Sequence, residues 1–163
     1  VDRGHGNVEV PPAVVGNRVY CVSSRGDRGL ICCWDAETGE QQWSAAPARY
    51  RATFSSPVIS GRYLLCGEGL HHARRGRVVC VDLQSPQAGR VCWTFTTNGH
   101  VECTPVIAAN RVYVGAGDDG VYCLRLDPSA NNCRPPAHSP AVLPSLQQQA
   151  SHHSSLSTAY LQT

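Results

Sequence analysis

Glu68, His71 and His72 fall within one short stretch, Gly67-Glu68-Gly69-Leu70-His71-His72. A second imidazole–carboxylate pair, His100 and Glu102, stands further along, followed by Asp118-Asp119. His5 and Glu9 are a fainter echo near the start, since Val8-Glu9 aligns with Val101-Glu102. Imidazole nitrogens and carboxylate oxygens can ligate a divalent metal, and they equally furnish a polar binding site. No ligand spacing among them fixes a metal, so the plainer alternative is solvated or hydrogen-bonding loop residues. Asp118-Asp119-Gly120 fits a turn capping a strand, because the oxygen-ligand series of a calcium loop is missing. No G-x-S-x-G, H-E-x-x-H or phosphate-cradling glycine loop is present. Gly115-Ala116-Gly117 follows a strand pattern but opens no helix.

The elements that must carry these residues recur. Pro12-Ala13-Val14-Val15-Gly16-Asn17-Arg18-Val19-Tyr20-Cys21 returns as Pro57-Val58-Ile59-Ser60-Gly61-Arg62-Tyr63-Leu64-Leu65-Cys66. It returns again as Pro105-Val106-Ile107-Ala108-Ala109-Asn110-Arg111-Val112-Tyr113-Val114. A period of roughly 40–50 residues built from short strands marks a β-propeller blade. Each repeat parses into strands a to d. Strand a is the proline-led apolar run (13–15, 58–59, 106–108) and strand b follows a tight polar turn (18–22, 62–66, 111–115). Strand c is 30–34, 78–82 and 121–126; strand d carries a tryptophan (41–44 and 91–95). Valine, isoleucine, tyrosine and tryptophan dominate these segments, as a pleated, half-buried surface favours, and no window has helical periodicity.

The expected fold is all-β: an incomplete propeller of about three four-stranded antiparallel blades, at about 8–45, 54–96 and 101–127. The third lacks its d strand. From residue 128 to 163 the composition turns to Pro, Ser, Gln, His and Asn, which predicts a disordered tail because ordering entropy would go uncompensated. Alternation of strand direction sends the d–a and b–c loops to one face of the ring. Glu68, His71, His72, His100, Glu102 and Asp118 all belong to those loops and form the candidate binding face. No residue is assigned a catalytic, cofactor-binding or metal-ligating role.

With 163 residues the chain has length for a sizeable core. Its net charge of +2 points to neither a nucleic-acid nor a membrane partner. All fourteen basic residues are arginine, and lysine and methionine are absent, a pattern of GC-rich codon usage. Nine cysteines would suit a disulfide framework in a short secreted chain. Yet Cys21 and Cys66, and likewise Cys33, Cys80 and Cys123, occupy equivalent repeat positions. A cysteine that recurs at one strand position behaves as a small hydrophobe, which predicts buried thiols. The chain starts at Val1, shows no signal-peptide core or bilayer-length apolar run, and has the marks of a piece of a longer protein.

WDAETGEQQW (Trp34 to Trp43), SSPVISGRYLLCGEG (Ser55 to Gly69) and CTPVIAANRVYVGAGDDGVYCL (Cys103 to Leu124) resemble the PQQ-like propeller repeat of bacterial BamB-like proteins. The resemblance spans about residues 8–127. It implies that Trp43 and Trp93 dock against the neighbouring blade, that further blades complete the ring, and that the cell envelope or periplasm is the location. It also implies a non-enzymatic binding or scaffold module with a protein partner and no cofactor. The alternatives are part of a quinoprotein dehydrogenase using PQQ and calcium, or the sensor domain of a larger signalling protein. Cys32-Cys33 is similar to the adjacent-cysteine disulfide of PQQ alcohol dehydrogenases. Within a strand, however, neighbouring side chains point to opposite faces.

Overall fold

A computed structural model describes residues 7–126, apart from 86 and 88. The repeated apolar runs become three antiparallel sheets joined in chain order. Blade 1 holds β1 (Ala13–Val15), β2 (Arg18–Arg25), β3 (Arg28–Asp35) and β4 (Gln41–Ala45). Blade 2 holds β5 (Val58–Ser60), β6 (Tyr63–Glu68), β7 (Arg77–Asp82) and β8 (Arg90–Thr96). Blade 3 has β9 (Val106–Ala108), β10 (Arg111–Gly115) and β11 (Val121–Arg125) among the described residues. The tail from 128 onward and His5 lie outside the described residues.

Registers superimpose from repeat to repeat. Ala13 pairs with Tyr20, Val58 with Leu65 and Val106 with Tyr113. Cys33 faces Trp43, Cys80 faces Trp93, and a bulge follows each of those cysteines at the same point. The same backbone bond also recurs three times: Ala36 N–H to Asn17 O, Leu83 N–H to Arg62 O, and Leu126 N–H to Asn110 O. The hairpin turn in blade 2 is Gly61-Arg62, one residue later than the sequence suggests, which restores equivalence with Gly16-Asn17 and Ala109-Asn110. Gly16 and Gly61 both have φ of 56°, the left-handed conformation that a two-residue hairpin requires at its first position. Strands β2 and β3 run on past their expected ends to a tight turn at Gly26-Asp27, whereas the corresponding loop of blade 2 is long.

Packing follows from alternation. One face of blade 1 (Tyr20, Val22, Ile31, Cys33) meets Leu64, Cys66, Val79 and Val81 of blade 2 in one buried cluster. The other face of blade 2 (Leu65, Val78, Cys80, Trp93, Phe95) meets Val112, Val114, Tyr122 and Leu124 of blade 3 in a second. Strand β5 touches both β1 and β9, so the a strands are the inner neighbours. Hydrogen bonds between equivalent linker positions stitch the blades: Thr53 Oγ1 donates to Val101 O and Ser56 N–H to Thr104 Oγ1, both at 3.2 Å.

The two tryptophans are buried unequally. Trp93 is buried in the blade 2–3 cluster, whereas Trp43 is half-buried beside blade 2. Trp43 rests on Gly89, where an added Cβ would come within 2.6 Å of the indole. Pro57 and Pro105 are buried and Pro12 is exposed; blade 1 is the blade with no described neighbour on its leading side.

An Arg–Asp clasp recurs at the far end of the sheets. Arg18 Nη1 lies 2.7 Å from Asp35 Oδ2, and Arg62 forms a two-point pair with Asp82. Backbone N–H groups of Thr38 and Glu37 hold the Asp35 carboxyl below its ordinary value, and Arg62 does the same for Asp82.

Two outcomes follow. Trp93→Ala costs about 3–5 kcal/mol by urea denaturation, and Trp43→Ala costs less. Because Asp35 and Asp82 have depressed folded values, their stabilisation is complete above about pH 5 and is lost as the pH falls below about 4. The urea midpoint therefore drops in that acid range, and Asp82→Asn lowers it at pH 7 while flattening the acid limb.

Candidate functional site

Three loops from two blades meet on the d–a and b–c face. His71, His72, Ala73 and Arg74 come from the β6–β7 loop, and Asn98, Gly99 and His100 from the linker after β8. Asp118 and Asp119 come from the short 3-10 turn Gly117–Asp119. Together they line an open cleft of about 520 Å³. The linker is pressed tightly into place, since a Cβ on Gly99 would lie 2.0 Å from Ala116 O. The His100 ring in turn covers Gly117, which has φ of +55° and whose added Cβ would be 2.6 Å from the imidazole. Only glycine suits that position.

Asp119 organises the rear of the cleft: its Oδ2 accepts the Asn98 N–H at 3.1 Å and the Tyr122 hydroxyl. Glu102 accepts the backbone N–H of the cleft residue His71, with His71 Nδ1 3.4 Å from its Oε1. The His71 and His72 rings meet edge-on at 5.4 Å. A smaller cleft of about 200 Å³ lies between blades 1 and 2, lined by Asp27, Arg51, Ala52, Leu70, His72 and Ala73. His72 thus borders both.

Of the six candidates, His71, His72, His100 and Asp118 share the main cleft, and Glu102 reaches it through His71. Glu68 does not belong there. It closes strand β6 rather than standing in the loop, and it is fully buried. Its Oε2 accepts from Arg77 Nε at 2.8 Å and from Arg77 Nη2, and its Oε1 accepts from Arg51 Nε at 3.3 Å. Arg77 Nη2 continues to the carbonyls of Ala48 and Arg49. A buried carboxylate requires such partners, so Glu68 ties the blade 1–2 linker to blade 2. Arg74 and Asn98 were not singled out from the sequence; as one arginine among fourteen and one loop amide, they carry no signal without the fold. Among the described residues no three His, Cys, Asp or Glu side chains converge so as to hold a metal ion.

Seven described cysteines are free thiols: Cys21, Cys32, Cys33, Cys66, Cys80, Cys103 and Cys123. Burial pushes the Cys32 and Cys66 thiols up to about 12 and raises Cys33 and Cys80. Cys66 also contacts the hydroxyl of Tyr50 at 3.2 Å, a linker tyrosine buried between the first two blades. Cys32 and Cys33 are not joined to each other.

A family profile described as outer membrane protein assembly factor BamB matches residues 3–87. The chain belongs to that family. Among solved structures it is similar to BamB from Moraxella catarrhalis at 20% identity and a TM-score of 0.52. The similarity covers 71% of this chain and 33% of that one, so the chain spans about a third of the length of that BamB. The computationally designed Ika4 protein also matches (14% identity, TM-score 0.40, 77% of this chain and 95% of that one). So does the designed Ika8 protein (13%, 0.37, 73% and 46%). No curated protein matches the chain in sequence. The BamB-family fold, three consecutive blades of a propeller, thus accounts for the repeat. Among the described residues no helix is long and apolar enough to cross a membrane.

The thiols provide a check on the packing. Maleimide labelling of the folded chain at pH 8, read by mass spectrometry, modifies exposed Cys103 and spares Cys32, Cys33, Cys66 and Cys80 until denaturant is added. Labelling of Cys66 in the folded chain would contradict its burial.

Proposed function

We propose that this chain is a non-enzymatic scaffold module of the bacterial envelope whose cleft between blades 2 and 3 holds a segment of another protein. The observation that carries the proposal is the composition of the cleft. His71, His72, His100, Arg74 and Asn98 bring donor nitrogens, and Asp118 and Asp119 bring acceptors. All are set in an open depression by loops on a sheet scaffold. A polypeptide backbone with polar side chains is the ligand class that such mixed donors and acceptors match. Membership of a family described by outer-membrane protein assembly supports both the protein partner and the envelope location. The quinoprotein alternative requires a ring-centre cofactor site, and the cleft instead lies between two adjacent blades.

The test is selection of a phage-displayed peptide library on the chain. Selected peptides bind with micromolar Kd and lose at least tenfold in affinity against the His100→Ala/Asp118→Ala double variant. Equal binding to both would remove the cleft as the site. In parallel, titration with PQQ and calcium, followed by visible absorbance, shows no saturable uptake; stoichiometric uptake would overturn the scaffold role.

A further inference from the structure

The segments 25–28, 48–51 and 68–77 carry half of the fourteen arginines but only two of the twelve acidic residues, Asp27 and Glu68. The fold gathers all three segments on the d–a and b–c face where blades 1 and 2 meet. Arg25 and Arg28 are cross-strand partners beside the β2–β3 turn, and Arg28 is bridged on its other side to Arg51 of the linker. Asp27 O accepts the Ala52 N–H at 3.1 Å, and Ala52 O accepts the Gly69 N–H at 3.3 Å. Arg51 Nη2 donates to Arg75 O, which ties the linker to the β6–β7 loop. Like charges placed directly opposite each other destabilise a sheet, and the chain does little to offset them. Glu68 is one buried carboxylate shared by two guanidiniums, Arg51 and Arg77. Arg28, Arg49, Arg74 and Arg75 are exposed and, among the described residues, form no ion pair. Arg28, Arg49 and Arg51 line an open cleft of about 510 Å³. Asp27 and Arg51 line both this cleft and the 200 Å³ cleft beside it, so the two share a rim.

We propose that this arginine face is a docking surface for an acidic segment of a partner protein, one rich in Asp and Glu. Guanidinium groups match carboxylates edge to edge, and the chain's own Arg18–Asp35 and Arg62–Asp82 pairs use that match. Guanidiniums spread over three loops and two clefts suit several carboxylates on an extended chain better than one small anion. Nucleic acid lacks its usual stacking platform here, because Tyr50 is the one Phe, Tyr or Trp in these segments and it is buried. A lipid surface is flat, whereas Arg28, Arg49 and Arg51 line a concavity. The junction has a described blade on each side, so its openness does not depend on the flanks of blades 1 and 3, where further blades would stack. Arg28, Arg49 and Arg51 lie outside the blade 2–3 cleft, and the inference stands whether or not that cleft holds a polypeptide.

Fluorescence anisotropy on the full 163-residue chain, with a labelled peptide of alternating Glu and Gly about twelve residues long, tests this. At about 50 mM NaCl the peptide binds with micromolar Kd, and about 300 mM NaCl weakens it at least about threefold. A Gln–Gly peptide of the same length does not bind. Arg28→Gln/Arg49→Gln raises the Kd for the acidic peptide at least about tenfold, while His100→Ala leaves it unchanged. Oligo-dT of similar length and vesicles containing about 30% phosphatidylglycerol bind at least about tenfold more weakly than the acidic peptide. The urea midpoint separates docking from a structural role: Arg28→Gln holds or raises it, because a like-charged neighbour is removed and no ion-pair partner is lost. No binding, equal binding of the Gln–Gly peptide, an unchanged Kd in the double variant or a loss confined to His100→Ala overturns the proposal. A preference for oligo-dT or vesicles assigns the face to nucleic acid or lipid, and a lowered urea midpoint assigns Arg28 to the fold; each also overturns it.

Discussion

The architecture rests on apolar sheet faces laid one upon another. Each blade is too thin to bury its own side chains, so Leu64 and Val79 are dry only because blade 1 stands in front of them, and Leu65 and Val78 only because blade 3 stands behind. Stability in such an array is a sum of modest sheets and nearest-neighbour contacts. Everything else, including the clefts, is arranged around the spacing that those contacts impose.

That dependence explains which features were legible in the residue order. Strand identity, hairpin position and the cysteine–tryptophan pairing recur because each copy solves the same packing problem, so repetition alone reveals Cys33 with Trp43 and Cys80 with Trp93. The unequal burial of the two indoles was not legible. It depends on what each ring meets: Trp43 has the bare backbone of Gly89 and a partly open flank, whereas Trp93 is enclosed by apolar side chains of two blades. Tyr50 escaped notice for a related reason. It sits in a linker without strand periodicity, yet its ring fills the space above Gly29, where an added Cβ would come within 2.7 Å.

The candidate face was legible at the level of loops and not of side chains. Strand alternation places the d–a and b–c loops together, and so brings His71, His72, His100 and Asp118 to one cleft. It cannot distinguish a carboxylate at the last position of a strand from one in the loop beyond. Glu68 occupies that last position, equivalent to Ser23 in blade 1 and Ala116 in blade 3. Its neighbours in space, Arg51 and Arg77, come from the linker and the returning strand. Proximity in sequence to two histidines suggested one role; tertiary proximity to two guanidinium groups assigned another.

The Glu68 cluster also makes the three repeats non-interchangeable. Serine or alanine at the equivalent position leaves nothing to neutralise Arg77 or to anchor the passage at Ala48 and Arg49. A gene in which the first repeat had been copied over the middle one would keep a cysteine–tryptophan pair at the same register and still lose its central rivet. Tandem duplication can therefore generate such an array, but the position of each copy within it is recorded by a charge that the ancestral unit need not have carried.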